Sequence, residues 1–290
     1  MKKLITLILL FTCCFSAFAG QFTASLENDV FIRSGGKNSD DDYSNGARFE
    51  YLFDNKFGIA LGQSMYTPPD ITIEEDQPGY REYAGYAYLE GSYRRTPTEF
   101  GAIQLGFIGK NSLAEQTQKT IHDWIGSREP KGWDNQIEGH GIEAQAYYKY
   151  MYRLIESDWF YLCPSITASA GSVNVIGTPG IFAYFTFNYT PTYDGLIVTE
   201  IRGTDPGFGS WIPSAYLFAG AECDMVAYNY FLDASESTVD KEYFVGEFST
   251  GIGLQIKRFI GKFAYIFRTK EYEEQETLAH FGAITLGWMF

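Results

Sequence analysis

The chain ends Ile284-Thr285-Leu286-Gly287-Trp288-Met289-Phe290, and this stretch decides the fold. Counting back from Phe290, every second residue is Trp288, Leu286 and Ile284, with the small or polar Gly287 and Thr285 between them. A two-residue period marks a strand with one apolar face, because successive side chains point to opposite sides of the pleat. An aromatic-ended strand of this kind suits a closed β-barrel whose outer face meets lipid and whose aromatic girdles mark the interfaces.

The same alternation recurs upstream. Phe244, Phe248, Ile252, Leu254 and Ile256 share one parity, and Glu247, Ser249, Gln255 and Lys257 the other. Ile103, Leu105 and Phe107 alternate with Gln104 and Gly106, and Leu217, Ala219, Ala221 and Met225 with Tyr216, Gly220, Glu222 and Asp224. About twelve such segments begin near Gln21, Asn45, Lys56, Glu82, Pro97, Ile137, Asp158, Ser172, Ile212, Lys241, Gly261 and Leu278. Each is close to the roughly 9 to 11 residues a tilted strand needs to cross a bilayer. An even number lets the sheet close with both ends on the periplasmic side and no unpaired edge in lipid. The expected fold is all-β, a transmembrane antiparallel β-barrel of about twelve strands formed by residues 20–290, with a short helix in an extracellular loop.

Composition agrees. Of 290 residues, 24 are Phe, 22 Tyr and 5 Trp, far too many for a disordered chain. The formal charge of −14 argues against nucleic acid as a partner, since phosphate binding rests on basic side chains. Residues 1–19 read as a secretory signal peptide: Met1-Lys2-Lys3, an apolar run from Leu4 to Phe18, and an Ala17-Phe18-Ala19 cleavage pattern before Gly20. No later run is long and apolar enough for a transmembrane helix. Cleavage leaves Cys163 and Cys223 as the cysteines, either paired or, more simply, two small buried residues.

One interval departs from period two. Ser112-Leu113-Ala114-Glu115 has the form of a capping box, and a helix should follow to about Trp124 and stop at Gly126. Leu113, Thr117, Ile121 and Trp124 gather on one side as the packing stripe; Glu115, Gln118 and His122 are offered on the other. His122 is a candidate general base, with Gln118 one turn away to orient it. His140 and His280 lie in strand patterns and read as structural or exposed.

The first strand ends in Glu27-Asn28-Asp29, and Asp40-Asp41-Asp42 precedes Tyr43-Ser44-Asn45-Gly46. Such oxygens could hold a hard cation or stabilise an oxyanion, and the aspartate run could equally be a solvated loop. Nucleophile-elbow, zinc-protease and phosphate-loop motifs are absent.

Together these stretches resemble the LpxR-type lipid A 3′-O-deacylase family of outer-membrane proteins. The resemblance lies in Leu26-Glu27-Asn28-Asp29, Asp42-Tyr43-Ser44-Asn45-Gly46, Tyr66-Thr67-Pro68 and Tyr83-Ala84-Gly85-Tyr86. It continues through Gly109, Glu115, Gln118, His122, Ile125-Gly126 and Lys131-Gly132-Trp133-Asp134-Asn135-Gln136. These anchors span roughly Gly20 to Ile155. The resemblance implies a twelve-stranded barrel that hydrolyses the ester of the 3′-acyloxyacyl group of lipid A with a divalent cation, usually Ca²⁺. It implies catalytic roles for His122, Gln118, Asn28, Asp29 and Ser44, with Asp29 on the metal and His122 activating water. The partners it implies are lipopolysaccharide and outer-membrane lipid, for a monomeric protein.

Enterobacterial members carry a functional lysine after the Tyr-x-Pro step, whereas Arg81 is the sole base between Tyr66 and Gly85 here. Arg33, Arg81, Arg94 and Arg95 are candidate phosphate contacts. Two other readings use the same residues: an outer-membrane phospholipase with Ser44 as nucleophile, or a non-catalytic barrel or pore. Asn28 and Asp29, being adjacent, can serve one site only where the strand ends or bulges.

Overall fold

The computed structural model describes residues 20–28, 31, 42–54, 56–191, 212–276 and 278–290. Residues 1–19, expected to be a signal peptide, lie outside these. Twelve antiparallel strands make a closed barrel: β1 (Gly20–Asn28), β2 (Asp42–Phe53), β3 (Phe57–Thr67), β4 (Ala84–Thr96), β5 (Glu99–Ile108), β6 (Glu143–Met151), β7 (Phe160–Gly171), β8 (Asn174–Phe187), β9 (Ser214–Asn229), β10 (Phe244–Ile256), β11 (Phe259–Arg268) and β12 (Ala279–Met289). Each pairs with its sequence neighbour, and β1 closes onto β12 from Gln21↔Met289 to Asn28↔Gly282. Ile155–Glu156 adds a two-residue strand to the edge of β7.

Eleven strands begin within three residues of their expected starts. The sixth starts at Glu143 rather than near Ile137, because Ile137 is buried and its amide donates to the Tyr83 carbonyl across the barrel rim. Parity is as the alternation requires. In β10, Glu247, Ser249 and Gln255 are buried in the lumen, and Phe248, Ile252, Leu254 and Ile256 are exposed on the wall. The apolar side chains face outward because their solvent is lipid.

The lumen is filled. Arg48 pairs with Glu90 at 2.6 Å and Glu50 at 3.2 Å, Arg94 reaches Glu50 at 3.4 Å, and Gln104 donates to Glu90 at 2.8 Å. Toward the other end, Arg268 pairs with Glu247 at 3.0 Å and Glu271 at 3.4 Å. Rings of Phe182, Tyr184, Tyr216 and Phe218 occupy the space between walls. A residual cavity of about 40 Å³ lies beside Tyr66, Tyr88 and Asp224.

The turns 97–98 and 257–258 and the segment 152–159 share one end with Gly20 and Met289, and the turn 172–173 and the longer segments 68–83, 109–142 and 230–243 share the other. In membrane barrels the long loops mark the extracellular end. Cys163 points into the lumen and Cys223 out of the wall, so the two are free thiols on opposite faces.

Candidate functional site

Near the extracellular end, the outward residues of five strands form one continuous row. The register runs Gly282↔Asn28, Asn28↔Asn45, Asn45↔Met65 and Met65↔Gly85. Asn28 belongs to this outer face because Gln21, Thr23, Ser25 and Glu27 take the lumen side of β1. β1 ends at Asn28, and β2 bulges between Tyr43 and Asn45. The extra residue, Ser44, lets Tyr43 turn inward to donate to Glu27 at 2.7 Å while Ser44 and Asn45 stay near Asn28. Asn28 Nδ2 donates to the Ser44 carbonyl at 2.9 Å and to Asn45 Oδ1 at 3.3 Å. The buried Ser44 hydroxyl shares a 2.5 Å hydrogen bond with Thr67.

Over the far end of the row lies the helix α1 (Ala114–Ile125). Its start differs from the expected capping box. A 3-10 turn, Gly109–Ser112, delivers Leu113 in a left-handed conformation (φ 58°), and Ser112 Oγ accepts from the Ala114 amide at 3.3 Å. Glu115 turns to Lys119 at 2.7 Å instead of reaching back. The helix stops where expected, at Gly126 (φ 70°), a conformation glycine adopts without strain.

The buried face is also the reverse of the expected one. Ala114, Gln118 and His122 are buried on the wall side, against β3 and β4, while Leu113, Ile121, Trp124 and Ile125 are exposed, and Gln116, Thr120 and Asp123 lie on the side opposite the wall. A close approach makes this possible: a methyl group on Gly85 would lie 2.3 Å from both Ala114 Cβ and Ser112 Oγ. Gln63, also outward, donates to the Ser112 carbonyl at 2.7 Å. Met65, Ile71, Tyr83, Ala114 and Trp133 form the small apolar core beneath the helix.

Gln118 and His122 are each oriented by the segment that follows the helix. Trp133 Nε1 donates to Gln118 Oε1 at 2.7 Å, directing the amide NH₂ away from the indole. His122 Nδ1 lies 2.5 Å from the Arg128 carbonyl. A carbonyl only accepts, so Nδ1 carries the proton and Nε2 is the basic nitrogen. Arg128 is in turn 3.8 Å from Asp70, whose carboxyl is held below its usual range by hydrogen bonds from the Thr72 hydroxyl and amide. Trp133 is placed by Gly132, where a Cβ would strike the Tyr83 ring at 2.4 Å. Thr67, Trp133 and the Arg128 carbonyl were not assigned roles from sequence. The first two lie within conspicuous motifs, and a backbone carbonyl leaves no trace in residue types.

Asp29, Arg33, Asp40 and Asp41 lie outside the described residues. Arg81 and Arg94 are not phosphate contacts. Arg81 is buried, pairs with Glu271 at 3.2 Å and stacks on Tyr66, and Arg94 is buried on Glu50. Arg95 is exposed at the opposite end beside Glu99. His140 is exposed and edges onto Tyr230, and His280 shares a 2.8 Å hydrogen bond with Tyr265 on the wall. The amide and hydroxyl oxygens of Asn28, Ser44 and Thr67 suit a hard cation. Among the described residues, however, no three His, Cys, Asp or Glu side chains cluster to supply its charge.

The chain matches the family described as outer membrane protein LpxR over residues 4–290. LpxR from Salmonella typhimurium superposes with a TM-score of 0.72 at 18% identity, covering 93% of this chain and 100% of that one. The β domain of the Bordetella autotransporter BrkA gives a TM-score of 0.44 at 9% identity, covering 94% of this chain and 98% of that one. No curated protein matches by sequence. With the family spanning nearly the whole chain and the same barrel found in its Salmonella member, this protein belongs to the LpxR family of outer-membrane proteins.

Proposed function

We propose that this protein is a lipid A-remodelling ester hydrolase that releases the 3′-acyloxyacyl group, using a water activated by His122. The observation that carries this reading is the tautomer. The Arg128 carbonyl beside Nδ1 places the proton there, which makes Nε2 the basic nitrogen of a side chain buried on the wall-facing side of α1. That nitrogen takes a proton from water as the water attacks the acyl carbonyl, and returns it to the departing sugar oxygen. Gln118, its carbonyl occupied by Trp133, presents NH₂ donors for the oxygen on which charge develops. Asn28, Ser44 and Thr67 form a polar ledge on the barrel's outer wall, so a lipid can reach the site sideways with its chains still in hydrocarbon.

Asp29 is the carboxylate we assign to Ca²⁺, and neutral oxygens of the ledge would complete its environment. Bound there, Ca²⁺ would polarise the acyl carbonyl and bridge an acidic protein to an anionic lipid. The phospholipase reading draws no support from the geometry, since the partner seen for the Ser44 hydroxyl is Thr67. The pore reading is opposed by a lumen packed with paired charges and rings.

The test is mass spectrometry of lipid A from cells making wild-type or His122→Ala protein. Loss of the 3′-acyloxyacyl mass only with the wild type supports the reading, and an unchanged lipid A with the wild type refutes it.

A further inference from the structure

Amphipathic helices on soluble proteins bury their apolar stripe, whereas α1 leaves its stripe exposed along one flank, with polar Gln116, Thr120 and Asp123 outermost. Its polar Gln118 and His122 face the protein, and Leu113, Ile121, Trp124 and Ile125 are exposed, the last two by more than 60%. No described residue covers this stripe. Directly below it on the same wall, the outward residues of β3, β4 and β5 continue as Leu61, Leu89 and Leu105, paired in register and more than half exposed. Through the outward pair Ala87 and Phe107 the stripe adjoins a surface that already faces the acyl chains.

The helix also sits at the right height. Gly85, under its first turn, is four residues along β4 from Leu89, about 13 Å at the usual strand rise and less along the membrane normal once tilt is included. An amphipathic helix lying at the boundary of headgroups and chains sinks about 5 to 10 Å, with Trp favoured there.

We propose that the apolar flank of α1 is embedded in the outer leaflet, so that lipid supplies the packing for Leu113, Ile121, Trp124 and Ile125. The His122-bearing helix is then held between wall and bilayer, and lipid binding helps set its position. This rests on the outer-membrane placement of the barrel and not on the hydrolase reading.

The experiment uses tryptophan fluorescence of the full protein in phosphatidylcholine vesicles whose chains are brominated near the headgroup or near the methyl end. The signal of Trp124 is the difference between wild type and Trp124→Phe. Strong quenching by the shallow bromines, weaker quenching by the deep ones, and little quenching by aqueous iodide are expected. In an Ile121→Glu/Ile125→Glu variant that keeps heat-modifiable mobility, the bromine quenching of Trp124 should fall and iodide quenching rise. Iodide quenching without bromine quenching in the wild type overturns the proposal, because the stripe is then in water. Protection from both overturns it equally, because a protein surface then covers the helix. An unchanged bromine signal in the Glu variant also counts against it.

Discussion

Gly85→Ala is the most pointed test of how the helix is seated. The added Cβ would stand 2.3 Å from Ala114 Cβ and Ser112 Oγ, whereas carbon atoms in comfortable contact are about 3.5 to 4.0 Å apart. Strand β4 is fixed on both sides by β3 and β5, so the barrel cannot yield. The helix must retreat by more than about 1 Å at its first turn, and misplacement of that size costs on the order of 10²-fold in rate. Gly91 lies on the same face of the same strand, and a Cβ there meets nothing within 4 Å, so Gly91→Ala serves as the matched control. Rates of lipid A deacylation in mixed micelles, with heat-modifiable mobility to confirm folding, should show Gly85→Ala slowed about 10²-fold and Gly91→Ala unchanged. Gly85→Ala/Ala114→Gly removes one of the two clashing atoms and leaves a serine that can rotate, so part of the rate should return. Full activity in Gly85→Ala, or equal damage from Gly91→Ala, refutes this account of the seating.

His122→Ala should lower the rate by the ~10² to 10⁴-fold typical of losing a general base, with unaltered mobility of the folded barrel. Trp133→Phe keeps a ring in the small core but loses the hydrogen bond to Gln118; at about 0.5 to 1.5 kcal/mol for such a bond, the drop in rate should be about tenfold or less. Ser44→Ala should keep most activity, and a sulfonyl trap should leave Ser44 unlabelled. Chelation should abolish turnover and Ca²⁺ restore it, read by the same lipid A masses. Hydrogen bonds from Thr72 hold the Asp70 carboxyl below its ordinary range, so Asp70 stays ionised as pH falls through the usual carboxylate values. Its contribution is lost only at lower pH, so the acid limb of the rate profile should be unchanged in Asp70→Asn.

The strands were legible because lipid outside and a packed polar lumen inside impose a strict two-residue period, visible from Phe22 to Trp288. Strand β6 was misplaced by six residues because Ile137 looks like strand but is anchored to Tyr83 at the rim. For α1, periodicity gave the two faces and Gly126 gave the end. It could not say which face turns inward: a hydrophobic stripe defines an axis, and the surroundings define its sign. The capping box failed for a local reason, as the 3-10 turn before it spent Ser112 on the Ala114 amide. The bulge at Ser44 left no sequence mark either, though it is what turns Tyr43 inward to Glu27.

These particulars converge on why chemistry belongs on the outside of this cylinder. Inside, each arginine named above is matched to carboxylates already buried beside it, and changing one partner exposes a lone charge; breaking such a pair costs about 3 to 5 kcal/mol. That lumen is committed to holding the barrel shut. The outer wall has the opposite constraint, since lipid tolerates no unpaired backbone, and the strands satisfy it among themselves. Polar side chains on that wall are therefore costly unless something covers them. The Asn28–Ser44–Thr67 ledge lies on β1 to β3 and the Gln118–His122 face is turned to β3 and β4, at the same rim of the barrel. Removing the helix while keeping the barrel should consequently leave a folded protein with a destabilised β3–β4 rim, where the helix packs, a result that a helix serving only as a surface ornament would not produce.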